Sequence, residues 1–231
     1  MITTIARRRD AGLLTMAGFL AIAFFLVPPL LGSGRPDDFP RAFLAYWSSG
    51  GGADFPPDLQ HLVDHQFRYH LVRVVIAVPL LAVLVALAVR LRRFRLPIGV
   101  LALVAAVLLI ENVQGIVSPF GTLLPNLASS RANDLAAVLA QVREQVVNGP
   151  RSPALEVMLG EYVRWHVVKA VLSGLLAAVL IVLSVVAWRR RRLFGLLMAV
   201  PAVAVLVVVV ANVTTVANPD PGFLLLLKGS W

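Results

Sequence analysis

Five apolar runs, each long enough to cross a bilayer, fix most of what this chain can become. A helix rises about 1.5 Å per residue, so crossing the roughly 30 Å hydrocarbon layer takes about 20 apolar residues. The runs are Ala11 to Leu31, Leu71 to Val89, Ile98 to Val117, Val167 to Ala187 and Leu193 to Val216. Hydrophobic residues make up 59% of the chain and charged residues 14%, a balance that belongs in a bilayer. The expected fold is all-α: a polytopic membrane helix bundle forming a single integral membrane domain over residues 1–231.

The net charge of +9 does not point to nucleic acid, because the cations cluster beside the apolar runs. Arg7 to Arg9, "RLRRFR" at Arg90 to Arg95 and Arg189 to Arg192 read as topology signals. With these held inside, the amino terminus is expected in the cytoplasm and the carboxyl terminus outside, with Gly32 to Tyr69 and Ser118 to Arg164 also outside. The first run is too long for the core of a secretory signal and lacks an A-x-A cleavage site, so it reads as a membrane helix. Cysteine is absent, which excludes disulfides, thiolate metal sites and cysteine nucleophiles. The arginine-, alanine- and valine-rich composition suggests a bacterium of high genomic GC content, and hence the plasma membrane.

An internal repeat organises the rest. "FRYHLVRVV" (Phe67 to Val75) aligns with "VRWHVVKAV" (Val163 to Val171), setting Arg68 with Arg164, Tyr69 with Trp165, His70 with His166 and Arg73 with Lys169. The following helices end in "ENVQGIVSP" and "ANVTTVANP", which pair Asn112 with Asn212 and Pro119 with Pro219. The pattern predicts a leading helix (1–31) and two parallel-repeat hairpins, 56–119 and 152–219.

Each hairpin is expected to begin outside on a helix that runs unbroken into the membrane, starting at Pro56-Pro57 or Ser152-Pro153. An intervening amphipathic helix ends at Asn148-Gly149-Pro150, with Leu135, Val138, Leu139, Val142 and Val146 on one face. "SSGGG" at Ser48 to Gly52 reads as a flexible break after "FLAYW". Pro79 and Pro201 are expected to kink their spans, and the tail "GFLLLLKGSW" reads as interfacial, with Trp231 at the headgroups.

Glu111 lies 16 residues from Arg95, and Arg73 lies 17 from Arg90, so the two share a depth. A charge at the centre of a span costs on the order of 2.5 to 3.5 kcal/mol and normally finds a partner; Glu111 is expected to pair with Arg73 or Lys169. His61 and His65, four apart, share a helical face at a spacing suited to a divalent metal such as copper or zinc. His70 is turned from His65 by about 140°, so its expected companion is His166. One polar chamber beneath the outer surface would be walled by His70, Arg73, Glu111, Asn112, Gln114, His166, Lys169 and Asn212, with the asparagines and Gln114 as cofactor-binding groups. The competing reading is interfacial anchoring by Arg, His, Tyr and Trp. No phosphate-binding glycine loop or nucleophile elbow occurs.

"AGLLTMAGFLAIAFFLVPPL", "IENVQGIVSP" and "RWHVVKAVLSGLLAAVL" together resemble the anthrone oxygenase-like family of small membrane proteins across the first four spans. The matching positions are Asn112, Trp165, His166 and Lys169. Family members commonly carry asparagine and arginine where this chain has His166 and Lys169, and the fifth span is extra. The resemblance implies oxygenation of a polycyclic phenolic substrate without a conventional cofactor.

Two readings of function stand open. One is a membrane oxidoreductase or oxygenase acting on a lipophilic small molecule, with His70 or His166 as acid/base or ligand, and Arg73 or Lys169 facing developing negative charge. The other is a non-catalytic membrane subunit or scaffold whose outer loops dock a partner protein or a second copy. Transport is disfavoured, because no span has a glycine-rich unwound centre.

Overall fold

The computed structural model describes residues 2–31, 38–129, 133–190 and 192–229, so Trp231 lies outside the described residues. All the elements among them are helical: α1 (Ile2–Leu26), a 3-10 turn (Pro28–Leu31), α2 (Phe39–Ser48), α3 (Pro57–Arg90), a 3-10 turn (Arg92–Phe94) and α4 (Arg95–Val117). The chain continues through α5 (Pro119–Leu123), α6 (Pro125–Ser129), α7 (Asn133–Asn148), α8 (Pro153–Arg190), α9 (Arg192–Ala217) and α10 (Pro219–Leu227). Helices α1, α3, α4, α8 and α9 are long and apolar enough to cross a membrane, so the all-α polytopic bundle expected from the sequence is the fold observed.

Proline marks the starts. Pro57, Pro119, Pro125, Pro153 and Pro219 each open a helix, because the ring presets the helical φ and the missing N–H is one that a first turn leaves unpaired anyway. Inside a span, α3 and α9 each continue as one helix through Pro79 and Pro201. Pro28 and Pro29 stop α1 at Leu26, short of the expected Leu31. Both long helices run unbroken from their polar first turns into the apolar stretch, as the sequence predicts. With 34 and 38 residues, α3 and α8 are about 51 and 57 Å long, far more than the roughly 30 Å of hydrocarbon.

The chain divides into two compact units, Met1–Ser33 with Phe67–Ile116, and Gly34–Gln66 with Val117–Trp231. In the first, α1, the membrane part of α3 and α4 close around Ala17, Leu80, Val83, Leu84, Leu87, Ile98 and Ala105. The alanines let the helices approach, as small residues do where lipid removes any hydrophobic drive to associate. Asp10 on α1 accepts a 2.7 Å hydrogen bond from Arg90 Nε at the end of α3. The rest of each span is apolar and outward: Phe19, Val75, Val100 and Leu101 are exposed, and only 11% to 28% of the apolar windows of the five spans is buried. Lipid is the solvent for that surface.

In the second unit, α8 and α9 form a hairpin, and a separate aromatic core packs on the first turns of α8. Phe39, Phe43 and Tyr46 of α2, Phe120 of α5, Leu127 of α6 and Phe223 of α10 are buried there, with Phe120 meeting Phe55 at 4.9 Å. The predicted face of α7 is confirmed: Leu135, Leu139, Val142 and Val146 are buried, and Val138 packs beside them. In the tail, Phe223, Leu226 and Leu227 are buried in this core, and Arg143 Nη2 donates to Leu227 O at 2.8 Å. At "SSGGG" the chain leaves α2 through a turn. Gly50 and Gly51 take φ of 91° and 63°, open to glycine alone at little cost; Gly51 presses against Ala154, and the Tyr46 hydroxyl donates to Gly52 O at 2.6 Å.

Candidate functional site

The polar residues singled out in the sequence fall into two sets, each assembled inside its own unit. In the first, His70 on α3 reaches α4, where its Nδ1 lies 3.0 Å from Asn112 Oδ1. Asn112 is buried and its Nδ2 donates to Leu108 O, one turn back, at 2.6 Å. That second bond fixes the tautomer. A backbone carbonyl accepts only, so the amide nitrogen must face Leu108 and the amide oxygen must face the ring. His70 Nδ1 therefore carries the proton, and the lone pair of the neutral ring sits on Nε2. Gly115, one turn past Asn112, lies flat against the imidazole, and a Cβ there would overlap the ring.

The second set repeats this connectivity. His166 Nδ1 on α8 lies 2.7 Å from Asn212 Oδ1 on α9, and Asn212 Nδ2 donates to Val208 O at 2.7 Å. Here the ring is boxed by aromatic edges, Tyr162 at 4.5 Å and Trp165 at 4.9 Å. Its Nε2 is buried without a hydrogen-bond partner.

The cations are held by rings. Arg73 lies 4.9 Å from the Phe24 ring on α1 and 4.5 Å from Tyr69, and its Nε is buried without a hydrogen-bond partner. Lys169 Nζ sits 4.9 Å from the Trp165 ring. In both sets the aromatic precedes the histidine by one residue and the cation follows it by three, so cation and ring are one helical turn apart. Glu111 is half-buried on α4, next in sequence to Asn112. Gln114 is fully buried on the same helix.

His61 and His65 lie one turn apart on α3, outside the apolar stretch, and His61 is exposed. Among the described residues no group of three or more His, Cys, Asp or Glu side chains is placed to hold a metal ion, so this pair supplies two donors only.

Two polar contacts escaped the sequence reading. Ser118 is fully buried, and its Oγ lies 2.8 Å from Glu161 Oε2 and 2.9 Å from Glu161 O. Arg164 completes the knot, its Nη1 2.6 Å from Glu161 Oε1. The i, i+3 spacing of Glu161 and Arg164 was visible, but Ser118 is distant in sequence and carries no motif. Arg151 holds both carboxylate oxygens of Asp220, at 3.0 and 2.8 Å, tying the approach to α8 to the start of α10.

Compared with known protein families, curated proteins and solved structures, the chain matches none.

Proposed function

We propose that the chain is a non-catalytic membrane subunit, a leading helix and a duplicated helical hairpin, that docks a partner protein through the helices it folds outside the bilayer. The observation that carries this reading is the engagement of both histidines: each is tied through Nδ1 to an asparagine on the next helix of its hairpin. Polar side chains used in this way fasten helices in a medium where apolar contact alone gives no drive to associate. The matching bonds, ring edges and cations support a duplication. The aromatic core around Phe120 and Phe223 supports a folded outer layer with a surface of its own. The basic clusters support an orientation with the amino terminus in the cytoplasm and with α2, α5 to α7, α10 and the carboxyl terminus on the far side of a bacterial plasma membrane.

Two measurements test this. In a cycle of His166→Ala, Asn212→Ala and the double variant, thermal unfolding in detergent should show a coupling of about 0.6 to 1.7 kcal/mol; zero coupling removes the fastening role. A photo-crosslinking residue at Val147, exposed on α7, should give one discrete protein adduct in native membranes, whereas one at Val207, exposed on the apolar surface of α9, should not. Lipid adducts alone at both positions would end the docking claim.

One observation favours the catalytic reading. His166 Nε2 is buried with no hydrogen-bond partner, and its tautomer leaves a lone pair there for a proton or a ligand. With Lys169 nearby as counter-charge, it supports an oxygenase acting on a lipophilic substrate, in keeping with the anthrone oxygenase-like resemblance. Oxygen uptake by the purified chain with an anthrone, lost in His166→Ala, would establish this reading against the first; a colourless, metal-free protein with no uptake would leave the subunit standing.

A further inference from the structure

At one end of the first unit, where α1 begins, α3 stops and α4 starts, the chain carries Arg9, Arg90, Arg92, Arg93 and Arg95 against a single carboxylate, Asp10. That carboxylate is engaged by Arg90 at 2.7 Å. Arg92, Arg93 and Arg95 are exposed and form no ion pair among the described residues. A 3-10 turn has three residues per turn and eclipses residues three apart, so Arg92 and Arg95, at the two ends of the turn Arg92–Phe94, leave it on one side, about 6 Å apart along the axis, with Arg93 next to Arg92. The same turn exposes apolar side chains: Phe94 is 55% and Leu96 48% exposed. The Arg93 guanidinium lies 5.9 Å from the Phe94 ring.

We infer that the turn between α3 and α4 binds an anionic phospholipid, its phosphate on the guanidinium groups of Arg92, Arg93 and Arg95 and its upper acyl chain against Phe94 and Leu96. Guanidinium presents paired N–H donors that match two phosphate oxygens at once, whereas an ammonium acts as a point charge. The ring decides between a lipid and a free phosphate. An inorganic anion gains nothing from an exposed phenyl group, while a lipid headgroup brings hydrocarbon to the same depth. A cluster that served as a topology signal alone would need charge and nothing more, so the requirement for guanidinium and for the ring is what distinguishes a site from a signal.

Each cation near an anionic membrane surface raises affinity roughly fivefold. The full chain in detergent, titrated with phosphatidylglycerol or phosphatidylcholine and read by native mass spectrometry, should retain phosphatidylglycerol selectively. Replacing all three by glutamine, R92Q/R93Q/R95Q, should lower that retention roughly a hundredfold. R92K/R93K/R95K, which keeps the charge and so the topology, and F94A should each lower it several-fold. Equal retention of the two lipids by the native chain overturns the inference, and this outcome needs no variant to fold. So does wild-type retention by the glutamine variant, or by the lysine and alanine variants together. Displacement of phosphatidylglycerol by glycerol phosphate at equal concentration overturns it too, since the site would then recognise phosphate without the lipid.

Discussion

His70 and Gly115 lie so close that the imidazole occupies the space where any other residue would place its Cβ. This predicts a sharp contrast on one helix. Gly115→Ala should destabilise the chain by about 1 to 3 kcal/mol in detergent unfolding, because the methyl group must push α3 from α4 or break the bond to Asn112. Gly99→Ala, where nothing lies within 4 Å, should be neutral or slightly stabilising. Equal effects would mean that the ring has room to move. The same pair shows how far residue reasoning reached. His70, Asn112, His166 and Asn212 were all picked out from sequence, but each histidine was matched to the other histidine, and its bond to the asparagine of its own hairpin was missed. Counting from the basic turn explains the miss. His70 is 20 residues from Arg90 and Asn112 is 17 from Arg95, an offset of about 4.5 Å. The two side chains nonetheless meet at 3.0 Å, and a residue count fixes neither the path of the turn nor the direction in which each side chain leaves its helix.

Helix starts and spans were legible because proline and apolar length are local signals. The turn at Ser48 to Gly52 was not, because glycines alone say that a chain can bend and not what holds the bend. Tyr46 holds it, and the consequence is measurable. Burial pushes the Tyr46 phenol above its usual value of 10.0, and the Gly52 N–H, which donates to the phenol oxygen at 3.2 Å, offsets only part of that. The folded chain thus favours the neutral phenol, so the stability it lends is complete below the unfolded-state value and is lost as pH rises through the higher folded-state one. Unfolding measured between about pH 8 and 11 should show stability falling above about pH 10. Tyr46→Phe should cost about 1 kcal/mol at neutral pH and flatten part of that alkaline fall. An unchanged alkaline limb in the variant would show that the phenol is not the group responsible.

Burial along α8 reports where water gives way to lipid. Ala154, Leu155, Met158, Leu159 and Tyr162 are buried at the spacing of a helix packed in a water-facing core, whereas beyond His166 only Ser173, Ala177 and Leu180 are buried and the outward side is apolar. The aromatic core therefore belongs to the protruding part of a helix about 57 Å long, and the apolar remainder ends at Arg189 and Arg190, the kind of cluster that stays on the cytoplasmic side. Since the chain contains no cysteine, single thiols can report this arrangement without background. Val147→Cys, ahead of α8, should react with a membrane-impermeant maleimide in intact cells, and Arg190→Cys, at its far end, only after permeabilisation. Reversed labelling would invert the orientation and leave the outer layer facing the cytoplasm, while equal labelling of both in intact cells would deny that α8 crosses the membrane at all.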